Sequence, residues 1–166
     1  MTLAFLVFFP MIAAVLSYVI GRYNKRSRDH FVIVSCLLTL CAAALAVKGV
    51  LAGEHLTLAI PAFCGFGLNF ELDGFRALYV FIGGVMWLCT SMLGKQYFAH
   101  HYHNRNRYNF FFLMTLGATL GVFLSSDLYT TFIFFEIMSF TSYTWVIQEE
   151  TESAIKAANT YLAVAV

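Results

Sequence analysis

Residues 109–147 read NFFFLMTLGATLGVFLSSDLYTTFIFFEIMSFTSYTWVI. Two apolar runs stand on either side of a Ser125-Ser126-Asp127 turn, and the second carries a carboxylate, Glu136, in its middle. Neither run alternates with period two, and each is close to the ~20 residues an α-helix needs to cross bilayer hydrocarbon. Lipid cannot satisfy exposed backbone groups, so spanning segments are helices or strands of a closed barrel. Continuous apolar runs select helices. Asp127 is placed to cap the second helix. Gly117 and Gly121 form a small-xxx-small pair that lets another helix approach closely.

The same reading extends along the chain. Of its 166 residues 60% are hydrophobic and 11% charged, a balance that would leave a soluble domain of this size with too much apolar surface. Spans are expected at about 3–21, 31–51, 74–94, 109–125 and 128–147, with an incomplete one at 154–166. The fold class is therefore all-α: a polytopic helical membrane protein with five full transmembrane helices and the start of a sixth. The first run has no basic residue before it, which argues against a cleaved signal peptide, and Pro10 within it is tolerable as a local kink. RYNKRSRDH (22–30) reads as a short polar loop. Residues 52–72, with proline, glycines and two acids, read as an extramembrane connection holding a short strand or hairpin. Asp73 is a plausible N-cap for the third span, with Arg76 pairing Asp73 or Glu71. The last run, AIKAANTYLAVAV, gives about 20 Å of helix against hydrocarbon of about 30 Å. The expectation is a fragment or a split subunit, with that helix continued elsewhere.

Seven of the ten basic residues lie in two segments: Arg22, Lys25, Arg26 and Arg28, then Lys95, Arg105 and Arg107. Two spans separate the segments, so both fall on one side, which the positive-inside rule makes cytoplasmic. The N-terminus then faces outward, in a multi-pass protein of the cell (inner) membrane. The acidic QEETES (148–153) falls on the basic side and departs from the pattern, although acids weigh little in topology. Cys36, Cys41, Cys64 and Cys89 lack metal-site spacing and read as apolar fillers. His100, His101 and His103 cluster without an acid or cysteine beside them and read as an interfacial loop. No metal or cofactor is expected. A net charge of +1 gives no reason to expect a nucleic-acid partner.

Glu136 lies about eight residues from either end of its span, near mid-membrane. A charge there costs about 2.5–3.5 kcal/mol on insertion scales, so such a residue usually faces protein or a wet cavity. Tyr129, Glu136, Ser139 and Tyr143 recur at helical spacing on one broad face. Three readings follow: a proton or cation relay, a protonated glutamate that fastens helices, or an acid that recognises a cationic solute. Lys156 is the one inward-leaning base after Glu136, about a turn into the sixth span. A direct contact between the two is doubtful, since Glu136 is some 16 Å of helical rise from the end of its own helix. Asn159 and Thr160 add polar groups beside Lys156.

Asp73-Gly74 opening a helix, Arg107-Tyr108 before Phe110–Leu113, Ser126-Asp127-Leu128 and FFEIMSFTSY (134–143) together resemble the antiporter-like proton-translocating subunits. These are the large membrane subunits of respiratory complex I, of multisubunit Na⁺/H⁺ antiporters and of membrane-bound hydrogenases. The likeness is strongest from about Phe70 to Lys156. It implies the N-terminal part of a roughly fourteen-helix fold, with Glu136 as the fifth-helix glutamate of an ion route and Lys156 as the lysine that opens helix six in many members. The principal lysine partner usually lies on a seventh helix, beyond residue 166. The resemblance also implies other membrane subunits as partners, with a separate chain completing the fold if the subunit is split. The function it implies is H⁺ or Na⁺/H⁺ translocation within a redox-driven pump or cation/proton antiporter. The alternative is a non-conducting structural or assembly subunit. No redox or hydrolytic motif is present, so in an NADH:quinone oxidoreductase or a hydrogenase the electron chemistry would lie in partner chains.

Overall fold

The computed structural model describes residues 2–61, 67–97, 104–148 and 150–165. Cys64 and the histidines His100, His101 and His103 lie outside them. Within the described residues, six helices and one hairpin follow in chain order: α1 (Thr2–Tyr23), α2 (Lys25–Leu51), β1 (Leu56–Ile60), β2 (Leu68–Leu72), α3 (Gly74–Tyr97), α4 (Arg105–Leu124), α5 (Leu128–Val146) and α6 (Glu152–Ala165). The protein is mostly helical. Four helices are long and apolar enough to cross a membrane: α1, α2, α3 over Gly74–Gly94, and α4. The fifth, at 19 residues, is about 28 Å long but is not among them; it carries several hydroxyls and Glu136 within its length.

Helix α1 packs between α2 and α4, α3 joins α2 to α4, α5 lies along α4, and α6 along α5. Successive helices run up and down. The α1–α2 turn, the start of α4 and the α5–α6 turn therefore gather at one end, and the hairpin and the α4–α5 turn at the other. The first is the basic end.

The loop expected over residues 22–30 is a single residue. Asn24 breaks the helix in extended geometry and its side chain accepts from the N–H groups of Arg26 and Ser27, so α2 starts at Lys25. That cap carries the charged stretch into the helix, and the buried stripe of α2 begins with it: Arg28, Val32, Ser35, Cys36, Thr39, Ala43 and Ala46. Pro10 sits buried within a continuous α1.

The connection after α2 is an antiparallel hairpin in which Leu56 pairs Leu72 and Ile60 pairs Leu68. Gly67, at φ +81°, brings the chain back so tightly that an added Cβ would lie 2.9 Å from the Ile60 carbonyl, a position only glycine fills. Strand β2 buries Leu68, Phe70 and Leu72 and leaves Asn69 and Glu71 partly exposed. Phe70 packs edge-on against Phe8 and Phe134, with ring centroids 6.4 and 5.5 Å away. The hairpin thus stoppers the bundle end. Asp73 caps α3, accepting from the Arg76 N–H at 2.8 Å, and Arg76 pairs with both Glu71 and Asp73, at 3.0 and 3.2 Å.

The glycine pair of α4 serves two neighbours. A Cβ on Gly117 would meet the Val7 carbonyl and Met11 of α1, whereas one on Gly121 would run into the Phe134 ring of α5.

Candidate functional site

Helix α5 begins at a turn tied on three sides. Asp127 is its N-cap, accepting from the Thr130 N–H at 2.8 Å and from the Thr130 hydroxyl at 2.7 Å. That hydroxyl accepts in turn from the Asn69 N–H at 3.0 Å, and the Ser126 N–H donates to the Asn69 carbonyl at 3.0 Å. Burial pushes the Asp127 carboxyl up, but donors from Thr130, Asn69 and Tyr129 outweigh it and hold the group below its usual range. The strand thereby sets the height of α5.

Two contacts fix the rotation of α5. Phe134 fills the space over Gly121, and the Thr115 hydroxyl donates to that of Thr141 at 2.8 Å. Thr130, Phe134 and Thr141 thus form the face toward α4, and all three are buried. Glu136 follows Phe134 by two residues, about 200° around a helix of 3.6 residues per turn. The carboxylate is therefore on the far side of α5 from α4. It is partly exposed, and no ion pair among the described residues includes it. The same side carries Ser139, which is buried, and Tyr143, whose hydroxyl donates to Asn159 Oδ1 of α6 at 3.3 Å.

The Tyr143–Asn159 contact also sets the α5–α6 register. In an antiparallel pair Lys156 stands opposite about residue 146, ten residues from Glu136, or roughly 15 Å along the axis. The structure does not bring Glu136 and Lys156 together. Lys156 is exposed and lines an open groove of about 570 Å³ with Glu152, Asn159 and Thr160. Glu136 instead lies at the height of the last described turn of α6. Among the described residues no group of three His, Cys, Asp or Glu is placed to hold a metal ion.

A second polar constellation escaped the sequence reading. Arg28 is 2% exposed and donates from Nε and Nη2 to Asp29 Oδ1, at 3.1 and 2.9 Å, and from Nη1 to Asn106 Oδ1 at 3.3 Å. Arg105 holds the other Asp29 oxygen at 2.9 Å, and Asn106 Nδ2 donates to the Tyr18 carbonyl at 3.0 Å. The network joins α1, α2 and α4 and puts the two basic segments at one end. The acidic turn sits there too because Arg107 Nη1 pairs with Glu150 Oε1 at 2.7 Å. The signal was present in the spacing of α2: stepping back four residues from Val32 along its small-residue stripe lands on Arg28.

No family model matches the chain. It is 26% identical over 164 residues, 96% of its length, to the Na⁺/H⁺ antiporter subunit A1 of Staphylococcus aureus. It is 24% identical over 99 residues, 60% of its length, to a second Na⁺/H⁺ antiporter subunit, from Alkalihalophilus pseudofirmus. Its fold superposes on a chain of the membrane-bound sulfane sulfur reductase, an archaeal respiratory membrane complex, with a TM-score of 0.86, 22% identity and 97% of this chain covered. In sequence the chain is thus similar to antiporter-like membrane subunits. It spans 20% of the length of each of the two curated relatives and 33% of the solved chain.

Proposed function

We propose that the chain is the N-terminal transmembrane portion of a subunit that moves protons, or exchanges Na⁺ for H⁺, across a cell membrane, with Glu136 as an ion-carrying carboxylate. In this reading α5 crosses the membrane as a fifth span. The observation that carries the proposal is the placement of Glu136: mid-helix, on the side of α5 turned from α4, beside Ser139 and Tyr143, and without a counter-charge among the described residues. That side is where the remaining four-fifths of the curated relatives' length would add helices. An ammonium brought near a carboxylate favours the ionised form, and withdrawal into apolar surroundings favours the protonated one. A lysine that approaches and leaves would therefore make the site release and recapture H⁺.

Lys156 is assigned a place on the same route, one stage nearer the basic end, linked to Glu136 through Asn159 and Tyr143 and water between them. Partners are the other membrane subunits of a multisubunit assembly, and any redox chemistry resides in them. The basic end, where Arg22, Lys25, Arg26, Arg28, Arg105 and Arg107 gather, is placed on the cytoplasmic side by the positive-inside rule, so the N-terminus faces out. Proton is favoured over bare Na⁺ as the carried ion because a lone carboxyl with hydroxyl neighbours can relay H⁺, whereas Na⁺ requires several oxygen ligands at once.

Glu136→Gln tests the proposal in the intact assembly. The substitution keeps the size and a hydrogen-bonding amide but cannot titrate. Loss of ion translocation at unchanged expression and assembly is expected. Unchanged translocation would leave the glutamate as a helix fastener.

A further inference from the structure

An open groove of about 490 Å³ lies at the basic end between α1 and α4, lined by Tyr18, Asn104, Asn106, Arg107, Phe110 and Phe111. Its upper part is aromatic, with the Tyr18 and Phe110 rings packed edge to face at 6.0 Å. It continues upward into the lipid-facing stripe of α1, where Ile12, Val15 and Val19 are about half exposed or more. Its lower rim is cationic. Arg22 is one helical turn past Tyr18 and so on the same face; it is exposed and in no ion pair among the described residues. Lys25 and Arg26 follow within four residues, both exposed. Arg107, partly exposed, forms the floor, with Nη1 on Glu150 and with Nε and Nη2 buried beneath it and without an acceptor among the described residues.

We infer that this groove binds an anionic glycerophospholipid, with its phosphodiester at Arg22 and Arg107 and an acyl chain laid over Phe110, Phe111 and Tyr18. The charge order decides between lipids. A zwitterionic headgroup brings its own cation to an end of the bundle where Arg22, Lys25 and Arg26 are in no ion pair among the described residues, whereas a phosphatidylglycerol headgroup brings one uncompensated negative charge. The aromatic wall directly above decides against a free anion, because inorganic phosphate gains nothing from that surface. The inference needs the helices to span a membrane and does not depend on Glu136.

The test uses the intact assembly, delipidated in a neutral detergent and titrated with phosphatidylglycerol, phosphatidylcholine or inorganic phosphate, with bound lipid counted by native mass spectrometry. Phosphatidylglycerol is expected to bind in preference to phosphatidylcholine. Arg22→Gln should weaken it about five-fold, the effect of one interfacial cation, and Arg22→Glu further, with phosphatidylcholine binding unchanged. Since Arg22 holds no other side chain among the described residues, ion translocation should survive both variants, which separates failure here from failure of the ion-route reading. Equal binding of the two lipids, unaltered phosphatidylglycerol binding in Arg22→Glu, or displacement of the lipid by an equal concentration of inorganic phosphate would overturn the inference.

Discussion

Asp127 shows what one side chain does at the hairpin end. It caps α5 through Thr130, and Thr130 in turn receives the Asn69 N–H of the strand. Asp127→Ala should cost about 1 kcal/mol, the usual worth of an N-cap, seen as a lower unfolding midpoint of the assembly. Because the folded state holds this carboxyl below its usual range, its contribution is present above the unfolded value and is lost as pH falls through the lower, folded one. The wild-type and Asp127→Ala midpoints should therefore converge only in strong acid. Asp127, Asp73 and Arg76 were legible in the sequence because a cap is a local event, settled within three or four residues. Arg28 was not. Its burial depends on Asn24 ending α1 in one residue and on Asn106 arriving from 78 positions away, neither of which the charge pattern announces. Removing one partner of a buried pair leaves the other uncompensated, typically at a cost of about 3–5 kcal/mol. Asp29→Ala, which strands Arg28 and Arg105 together, should destabilise the basic end on that scale and speed proteolysis at the α1–α2 turn.

Among the elements, α4 was visible through its apolar run and two glycines, although the helix starts at Arg105, four residues before that run. The pair was expected to mark one close helix contact, and it marks two, because residues four apart on a helix caught between α1 and α5 can look different ways at different heights. The two substitutions therefore have separable effects. Gly121→Leu forces Phe134 aside and should rotate or lift α5, reducing ion translocation as well as stability. Gly117→Leu meets the α1 backbone and should lower stability by about 1–3 kcal/mol at translocation retained per folded assembly. The hairpin was legible as a kind but not in its role. Alternation and turn residues announce strands, yet nothing local shows that Phe70 is a stopper seated against Phe8 and Phe134. Phe70→Ala should cost about 3–5 kcal/mol, as for a fully buried aromatic.

At the scale of the molecule, the described helices and hairpin form a bundle that encloses α4, and α5 turns its carboxylate away from that bundle. The membrane class, the helix order and the likeness to antiporter-like subunits were carried by composition and by four short motifs. The site was legible only in part: the sequence placed Glu136, Ser139 and Tyr143 on one face, and the structure aligns that face with α6. Helical rise already made a direct Glu136–Lys156 contact doubtful, and the Tyr143–Asn159 register sets the axial separation at about two to three turns. In the proposed ion route, the charged group that would meet Glu136 lies outside the described helices. The most direct measurement is ion translocation by the intact assembly, reconstituted in vesicles with a pH-sensitive dye inside, comparing wild type with Glu136→Gln at matched subunit content. The variant is expected to assemble, to retain its unfolding midpoint and to lose most of its proton movement; wild-type rates from an assembly with no titratable group at residue 136 would contradict the ion-carrying role of Glu136.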